Sequence, residues 1–134
     1  MADPSHHQAA RAWLDKGAGD LRSVQALLDL DPPETEAASF HSQQAAEKYL
    51  KGLLVFHGTE PPRTHDLSVL LDLAIDHAQD LETLRAAARF LVPYAVEVRY
   101  PFAGDPPSAE EAQEALSHAR AICERIETEV ETAP

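Results

Sequence analysis

Apolar residues recur along the chain at alternating steps of three and four positions, the spacing that places them on one face of an α-helix. The stretch 40–57, FHSQQAAEKYLKGLLVFH, shows this most clearly, because at 100° per residue its apolar side chains share one face. Those side chains are Ala46, Tyr49, Leu50, Leu53 and Leu54. We interpret this stretch as the central helix of a bundle. It begins near Glu34 or Thr35 and ends at Gly58, a residue type common just after helices.

The same spacing predicts four further helices, over residues 8–30, 66–77, 80–98 and 109–130. Ser108 and Glu111 form a capping-box pattern at the start of the last helix. Pro93 lies inside the 80–98 run. Because an interior proline costs a helix about 3 kcal/mol, we expect a kink there or a break near 91–93. Gly17 and Gly19 in the first helix either permit a close helix crossing or merely weaken that helix.

Together these elements predict an all-α fold, an antiparallel up-and-down bundle of four long helices plus one short helix. The chain has 134 residues, enough for one domain. We expect that domain to cover residues 8–130, between a flexible tail at 1–7 and a C-terminal tail at 131–134. His6 and His7 are adjacent in the first tail, where a solvated terminus is a better interpretation than a metal site.

The net charge of −12 means that the protein as a whole repels nucleic acid, so RNA would need a locally basic cleft. Cys123 is the one cysteine, which excludes an internal disulfide and suits a reducing compartment. No apolar run reaches the roughly 18–20 residues of a membrane span, and the first ten residues have no apolar signal core. We therefore expect a cytoplasmic protein with no membrane association.

The sequence has no Gly-rich phosphate loop, no HExxH pattern and no nucleophile elbow, and we expect neither a cofactor nor a metal. Three polar groups remain: His41, Gln44, Lys48 and Lys51 on the central helix; Arg63 to Asp66 before the short helix; and Glu97 to Pro101. Arginine can clamp phosphate and histidine can transfer protons near neutral pH. If the bundle joins these groups, they form a basic pocket. The alternative is that His65 and Asp66 only cap a helix and that Arg99 only pairs with an acid.

These motifs, in this order, resemble the HEPN domain, a small helical family named for higher eukaryotes and prokaryotes nucleotide-binding. The resemblance covers nearly all of residues 8–128 and rests on FHSQQAAEKYLKGLL at 40–54, PRTHDL at 62–67 and YAVEVRYP at 94–101. It implies a bundle of four or five helices that usually forms a homodimer. It also implies a minimal nucleotidyltransferase as partner in a toxin–antitoxin-like pair. In such pairs the HEPN protein is a metal-independent ribonuclease, and the transferase neutralises it, in some cases by adding AMP to a tyrosine.

One feature departs from the family pattern. Ribonuclease members carry an Arg-x4-6-His motif, whereas Arg99 is followed by YPFAGDPP, which contains no histidine. A missing proton-transfer partner would then be His41 or His65, and the catalytic candidates are Arg99, His65 and His41. The candidates for nucleotide or RNA binding are His41, Gln44, Lys48, Lys51, His65, Arg99 and Tyr100. Tyr100 is also the candidate for modification, with Tyr94 and Tyr49 as competitors.

Three hypotheses follow. The first, which we favour, is a transferase partner that binds nucleotide or RNA. The second is a ribonuclease with a rearranged site. The third is a non-catalytic helical scaffold whose polar residues serve only folding.

Overall fold

The computed structural model describes residues 3–96 and 104–132, and the regular structure in these two ranges is entirely helical. The α-helices are α1 (Pro4–Leu28), α2 (Thr35–Phe56), α3 (Leu67–Ile75), α4 (Arg85–Leu91) and α5 (Ala109–Thr132). The expected all-α fold is confirmed. In these ranges no helix is both long and apolar enough to span a bilayer.

Helix α1 begins earlier than the apolar spacing predicts, at Pro4. The carboxylate of Asp3 accepts a hydrogen bond from the backbone N–H of Ser5 at 2.8 Å, and proline is well suited to the first helical turn. Residues 4–7 are therefore helical and do not belong to the flexible tail that we expected over residues 1–7.

Two predicted helix starts are confirmed by their caps. The backbone N–H of Glu111 donates to Ser108 Oγ at 3.0 Å, and the backbone N–H of Ser108 donates to the Glu111 carboxylate at 3.0 Å. This is the reciprocal pair of a capping box. At α3, Asp66 Oδ1 accepts from the backbone N–H of Ser68 at 2.9 Å. Short-range polar signals therefore define where α3 and α5 begin.

The run predicted as one helix over 80–98 is broken into short pieces. A 3₁₀ segment, Gln79–Leu84, leads into α4, and a 3₁₀ turn, Val92–Tyr94, follows it. The α-helix ends at Leu91, because Pro93 has no N–H to donate and its ring crowds the preceding turn. The break near 91–93 is thus what occurs, and the fourth element of the bundle is segmented, whereas α1, α2 and α5 are long.

Helix α2 lies at the centre of the bundle and packs against α1, α3, α4 and α5. All five residues of its predicted apolar face are buried. Helices α1 and α2 run antiparallel, because Leu14 of α1 contacts Gly52 late in α2, whereas Asp20 further along α1 contacts His41 early in α2. Because α2 has neighbours on several sides, it also buries polar residues outside its apolar face, among them Gln43, Glu47 and Lys51.

Candidate functional site

The four polar residues predicted on α2, which are His41, Gln44, Lys48 and Lys51, are divided between two clusters. Each cluster is built around a buried carboxylate that the sequence pattern did not single out. The Asp20 cluster consists of Asp20, His41 and Lys48. The Glu47 cluster consists of Gln43, Gln44, Glu47, Lys51 and His65. Every candidate site residue in the described ranges belongs to one of these two clusters.

The Asp20 cluster joins α1 to α2. Asp20 lies on α1 and is only 8% exposed. Its Oδ1 lies 2.9 Å from His41 Nδ1, and its Oδ2 accepts from Lys48 Nζ at 2.6 Å. An ionised carboxylate can only accept hydrogen bonds. Neutral His41 therefore carries its proton on Nδ1 and leaves a lone pair on Nε2.

The Glu47 cluster joins α2 to His65 in the loop that precedes α3. Glu47 is 4% exposed, and its Oε1 accepts from Gln43 Nε2 at 3.2 Å and lies 2.9 Å from His65 Nδ1. Its Oε2 accepts from Lys51 Nζ at 3.0 Å. Gln43 Nε2 also donates to the backbone carbonyl of His65 at 3.0 Å. The position of His65 is thus defined by both its ring and its backbone.

His65 differs from the rest of its cluster because its side chain is 70% exposed. Its Nδ1 faces Glu47, an acceptor, so neutral His65 has its proton on Nδ1. The opposite ring nitrogen, Nε2, is then an acceptor at the protein surface. An oriented imidazole of this kind can accept a hydrogen bond or a proton from a ligand.

A recess of about 330 Å³ lies beside the Glu47 cluster, between α1 and the connection that follows α2. It is lined by Trp13, Lys51, Glu60, Pro61, Pro62 and Arg63. Lys51 Nζ lies 5.9 Å from the centroid of the Trp13 ring, within cation–π range. Arg63 is exposed, and in the described part of the chain no carboxylate lies within 4.0 Å of its guanidinium. The recess thus combines an aromatic ring, two prolines, the carboxylate of Glu60 and two cations, of which Arg63 makes no ion pair within 4.0 Å among the described residues.

The family model of the HEPN domain matches residues 10–129, most of the chain. The chain belongs to the HEPN family. Two solved structures are similar to this HEPN domain. TT1696 from Thermus thermophilus is 36% identical with a TM-score of 0.71, and the match covers 88% of this chain and 95% of that chain. ST0689, described as an archaeal HEPN homologue, is 28% identical with a TM-score of 0.73, over 90% of this chain and 97% of that chain. No curated protein matches the sequence.

Two of the predicted site residues, Arg99 and Tyr100, lie outside the described residues of this HEPN domain. Their convergence with His41 or His65 therefore stays a prediction. Tyr49, a competitor for modification, is buried against α1, and burial raises the pKa of its hydroxyl to about 12. We infer that a modifying enzyme cannot reach Tyr49 in the folded domain.

The cap interpretation holds for only one of the two residues to which we applied it. Asp66 caps α3 through the backbone N–H of Ser68, as a purely structural residue would. The ring of His65 bonds to Glu47 across the chain. The capping interpretation of PRTHDL thus applies to Asp66 and not to His65.

A stacked pair of imidazoles lies at the end of α2. The rings of His57 and His77 are 4.2 Å apart and nearly parallel, at 3°. Burial, with His77 nearby, lowers the pKa of His57 below its ordinary 6.5, and Glu129 opposes this only in part. As pH falls below 6.5, the unfolded chain takes up a proton on His57 before the folded chain does.

We therefore expect the free energy of unfolding to decrease as pH falls from 6.5 towards the lower folded-state pKa of His57. Urea titrations at a series of pH values measure this. A His57→Gln variant should lose stability less steeply over that window than the wild type. His118→Gln, which removes a histidine from α5, is the control. Equal slopes for wild type and His57→Gln would contradict the assignment.

Proposed function

We propose that this HEPN chain is the partner subunit of a minimal nucleotidyltransferase in a toxin–antitoxin-like pair, and that it binds a nucleotide or an RNA end at the Asp20 and Glu47 clusters. Family membership supports the partnership. The observation that carries the binding role is the pair of buried carboxylates. Each binds one lysine of α2 and orients one histidine, His41 of α2 or His65 of the loop before α3.

The distribution of charge supports the same location for an anion. Arg11, Arg85 and Arg125 each have a carboxylate within 3.0 Å, so their charges are compensated. In the Glu47 cluster, the charge of the Glu47 carboxylate is balanced by the ammonium of Lys51 at 3.0 Å, so this cluster carries no net negative charge. Arg63 is also exposed near this cluster. The surface around the Glu47 cluster is therefore less acidic than the protein as a whole, which carries a net charge of −12.

The partnership is tested by co-expression with a minimal nucleotidyltransferase, taken from the gene next to that of this chain if that gene encodes one. Affinity capture of the tagged HEPN chain should retain the transferase, and sedimentation of the HEPN chain alone at micromolar concentration should show a homodimer. A co-expressed protein of similar size and charge is the control. Absence of the transferase from the captured fraction would contradict the partnership, and a monomer would contradict the stable dimer.

A ribonuclease is the second candidate function, and the outward Nε2 lone pair of His65 favours it because a general base needs that form. Expression of the chain alone should then arrest growth and degrade RNA, also in chelator-treated extracts. Arg99→Ala and His65→Phe should each remove both effects. If the wild-type chain affects neither growth nor RNA, the ribonuclease function is contradicted.

A further inference from the structure

The geometry points to a selective ligand site in the recess lined by Trp13, Lys51 and Arg63. We propose that it holds a planar ring that carries an anionic group and a sugar hydroxyl, as in a ribonucleoside phosphate, and that Glu47 and His65 select the hydroxyl. This inference deepens the proposed nucleotide binding and rests on it. It adds Trp13 and Glu47 to the residues expected from the sequence, and it gives a role to Arg63, one of the polar residues before the short helix.

The walls of the recess suit a planar ring. Trp13, Pro61 and Pro62 provide an indole and two pyrrolidine rings, and base–aromatic stacking is tolerant of the base. The volume of about 330 Å³ is at the lower end of the roughly 300–1,000 Å³ of small-molecule pockets. A ligand the size of one nucleotide is therefore a better fit than an extended strand.

The recess is lined by two cations, Lys51 and Arg63, and by one carboxylate, Glu60. Lys51 Nζ is bonded to Glu47 Oε2 at 3.0 Å, so its charge is already compensated. Arg63 is exposed and has no carboxylate partner among the described residues, and its planar guanidinium can bind two phosphate oxygens at once. Arg63 is therefore the residue that we expect to bind the phosphate.

His65 is close to this recess, because its ring and Lys51 bind the two oxygens of the same Glu47 carboxylate. Glu47 holds the proton of neutral His65 on Nδ1, so Nε2 can only accept a hydrogen bond. An acceptor of this kind requires a donor on the ligand, and a sugar hydroxyl is one. A phosphate oxygen, which is an acceptor, does not satisfy it.

Loss of the hydroxyl should therefore weaken binding by the worth of one hydrogen bond, roughly three- to tenfold in the dissociation constant. Glu47 acts here as a positioning residue, because it contacts His65 and not the ligand. Glu47→Gln permits either tautomer of His65. Because a hydroxyl can donate as well as accept, this variant should keep part of the preference for AMP, whereas His65→Phe should lose all of it.

Trp13 makes the site directly observable, because it is the only tryptophan of the chain and lies in the recess. We would titrate the full chain with AMP and with 2′,3′-dideoxy-AMP at neutral pH and follow indole fluorescence, excited where adenine does not absorb. The variants are Arg63→Ala, His65→Phe and Glu47→Gln. Arg89→Ala, an exposed arginine on α4, is the control, and circular dichroism checks the folding of each protein.

We expect saturable quenching by AMP and weaker binding of the dideoxy compound. Arg63→Ala should abolish quenching by either nucleotide, and His65→Phe should bind AMP only as tightly as the dideoxy compound. Equal affinities for the two nucleotides in the wild type would overturn the hydroxyl selection. No quenching, or quenching that Arg63→Ala leaves unchanged, would overturn the site. Because transferase capture is measured separately, failure of the recess and failure of the proposed partnership are distinguishable.

Discussion

Glu47→Ala is expected to lower the free energy of unfolding by about 3–5 kcal/mol, the usual cost of removing one partner from a buried ion pair. The side chains of Glu47 and Lys51 are only 6% and 11% exposed, so the substitution leaves an ammonium with little water and no carboxylate. Gln43 and His65 lose an acceptor at the same time. The expected loss of stability comes from leaving these donors unpaired. The intact Glu47–Lys51 ion pair need not itself be a net stabiliser.

Urea unfolding followed by circular dichroism measures the change, with Glu124→Ala on the exposed side of α5 as the control. A double variant, Glu47→Leu with Lys51→Met, removes both charges and should recover much of the lost stability. A loss below about 1 kcal/mol for Glu47→Ala would be typical of an exposed ion pair, and would show that Lys51 reaches solvent more readily than its burial indicates.

Gly17→Ala is expected to destabilise the domain by about 1–2 kcal/mol, although alanine is the better helix former by about 1 kcal/mol. A Cβ at Gly17 would lie 2.6 Å from Cδ1 of the Tyr49 ring and 3.2 Å from the backbone oxygen of Ala45. The tyrosine ring is buried in the core, so it cannot move away without disturbing its neighbours. Helices α1 and α2 would therefore have to separate.

Gly19→Ala is the matched control, because it makes the same change two residues away on the same helix. The nearest atom to a Cβ at Gly19 is a guanidinium nitrogen of Arg22 at 3.5 Å, an ordinary contact. This variant should gain up to about 1 kcal/mol from helix propensity. Thermal and urea unfolding of both variants give the comparison. Similar changes for the two alanines would contradict a specific close crossing at Gly17.

The candidate site could be predicted only in part, and the reason differs between its residues. His41, Lys48, Lys51 and His65 were expected from their residue types, and all four lie in the two clusters. The position of Asp20 in the sequence gave one indication of its role. It lies three positions after Gly17, in the row of α1 residues that face the core. A carboxylate in such a row is unusual unless it is paired.

The sequence also gave an indication for Glu47. Gln43, Glu47 and Lys51 follow one another at steps of four, which places their side chains along one side of α2. That spacing indicates hydrogen bonds within the helix but does not distinguish an exposed row from a buried one. Burial depends on the helices that pack against α2. His65 comes from outside the helix, which periodicity cannot indicate.

The sequence by itself determined the all-α fold, the buried face of α2, the starts of α3 and α5, and membership in the HEPN family. These depend on helical periodicity, on caps that span three or four residues and on motifs of contiguous residues, all of which are local. Pro93 belongs with them, since a missing N–H ends a helix whatever its surroundings.

The tertiary structure decided what depends on distant parts of the chain. It distinguishes Gly17, which meets Tyr49, from Gly19, which does not, although the two look alike in sequence. It also places the polar residues of α2 around two buried carboxylates, Asp20 and Glu47, each of which contacts one histidine. The physical reason is that burial of a charge requires partners, and those partners come from neighbouring helices and from the chain just before α3, at separations that no local pattern encodes.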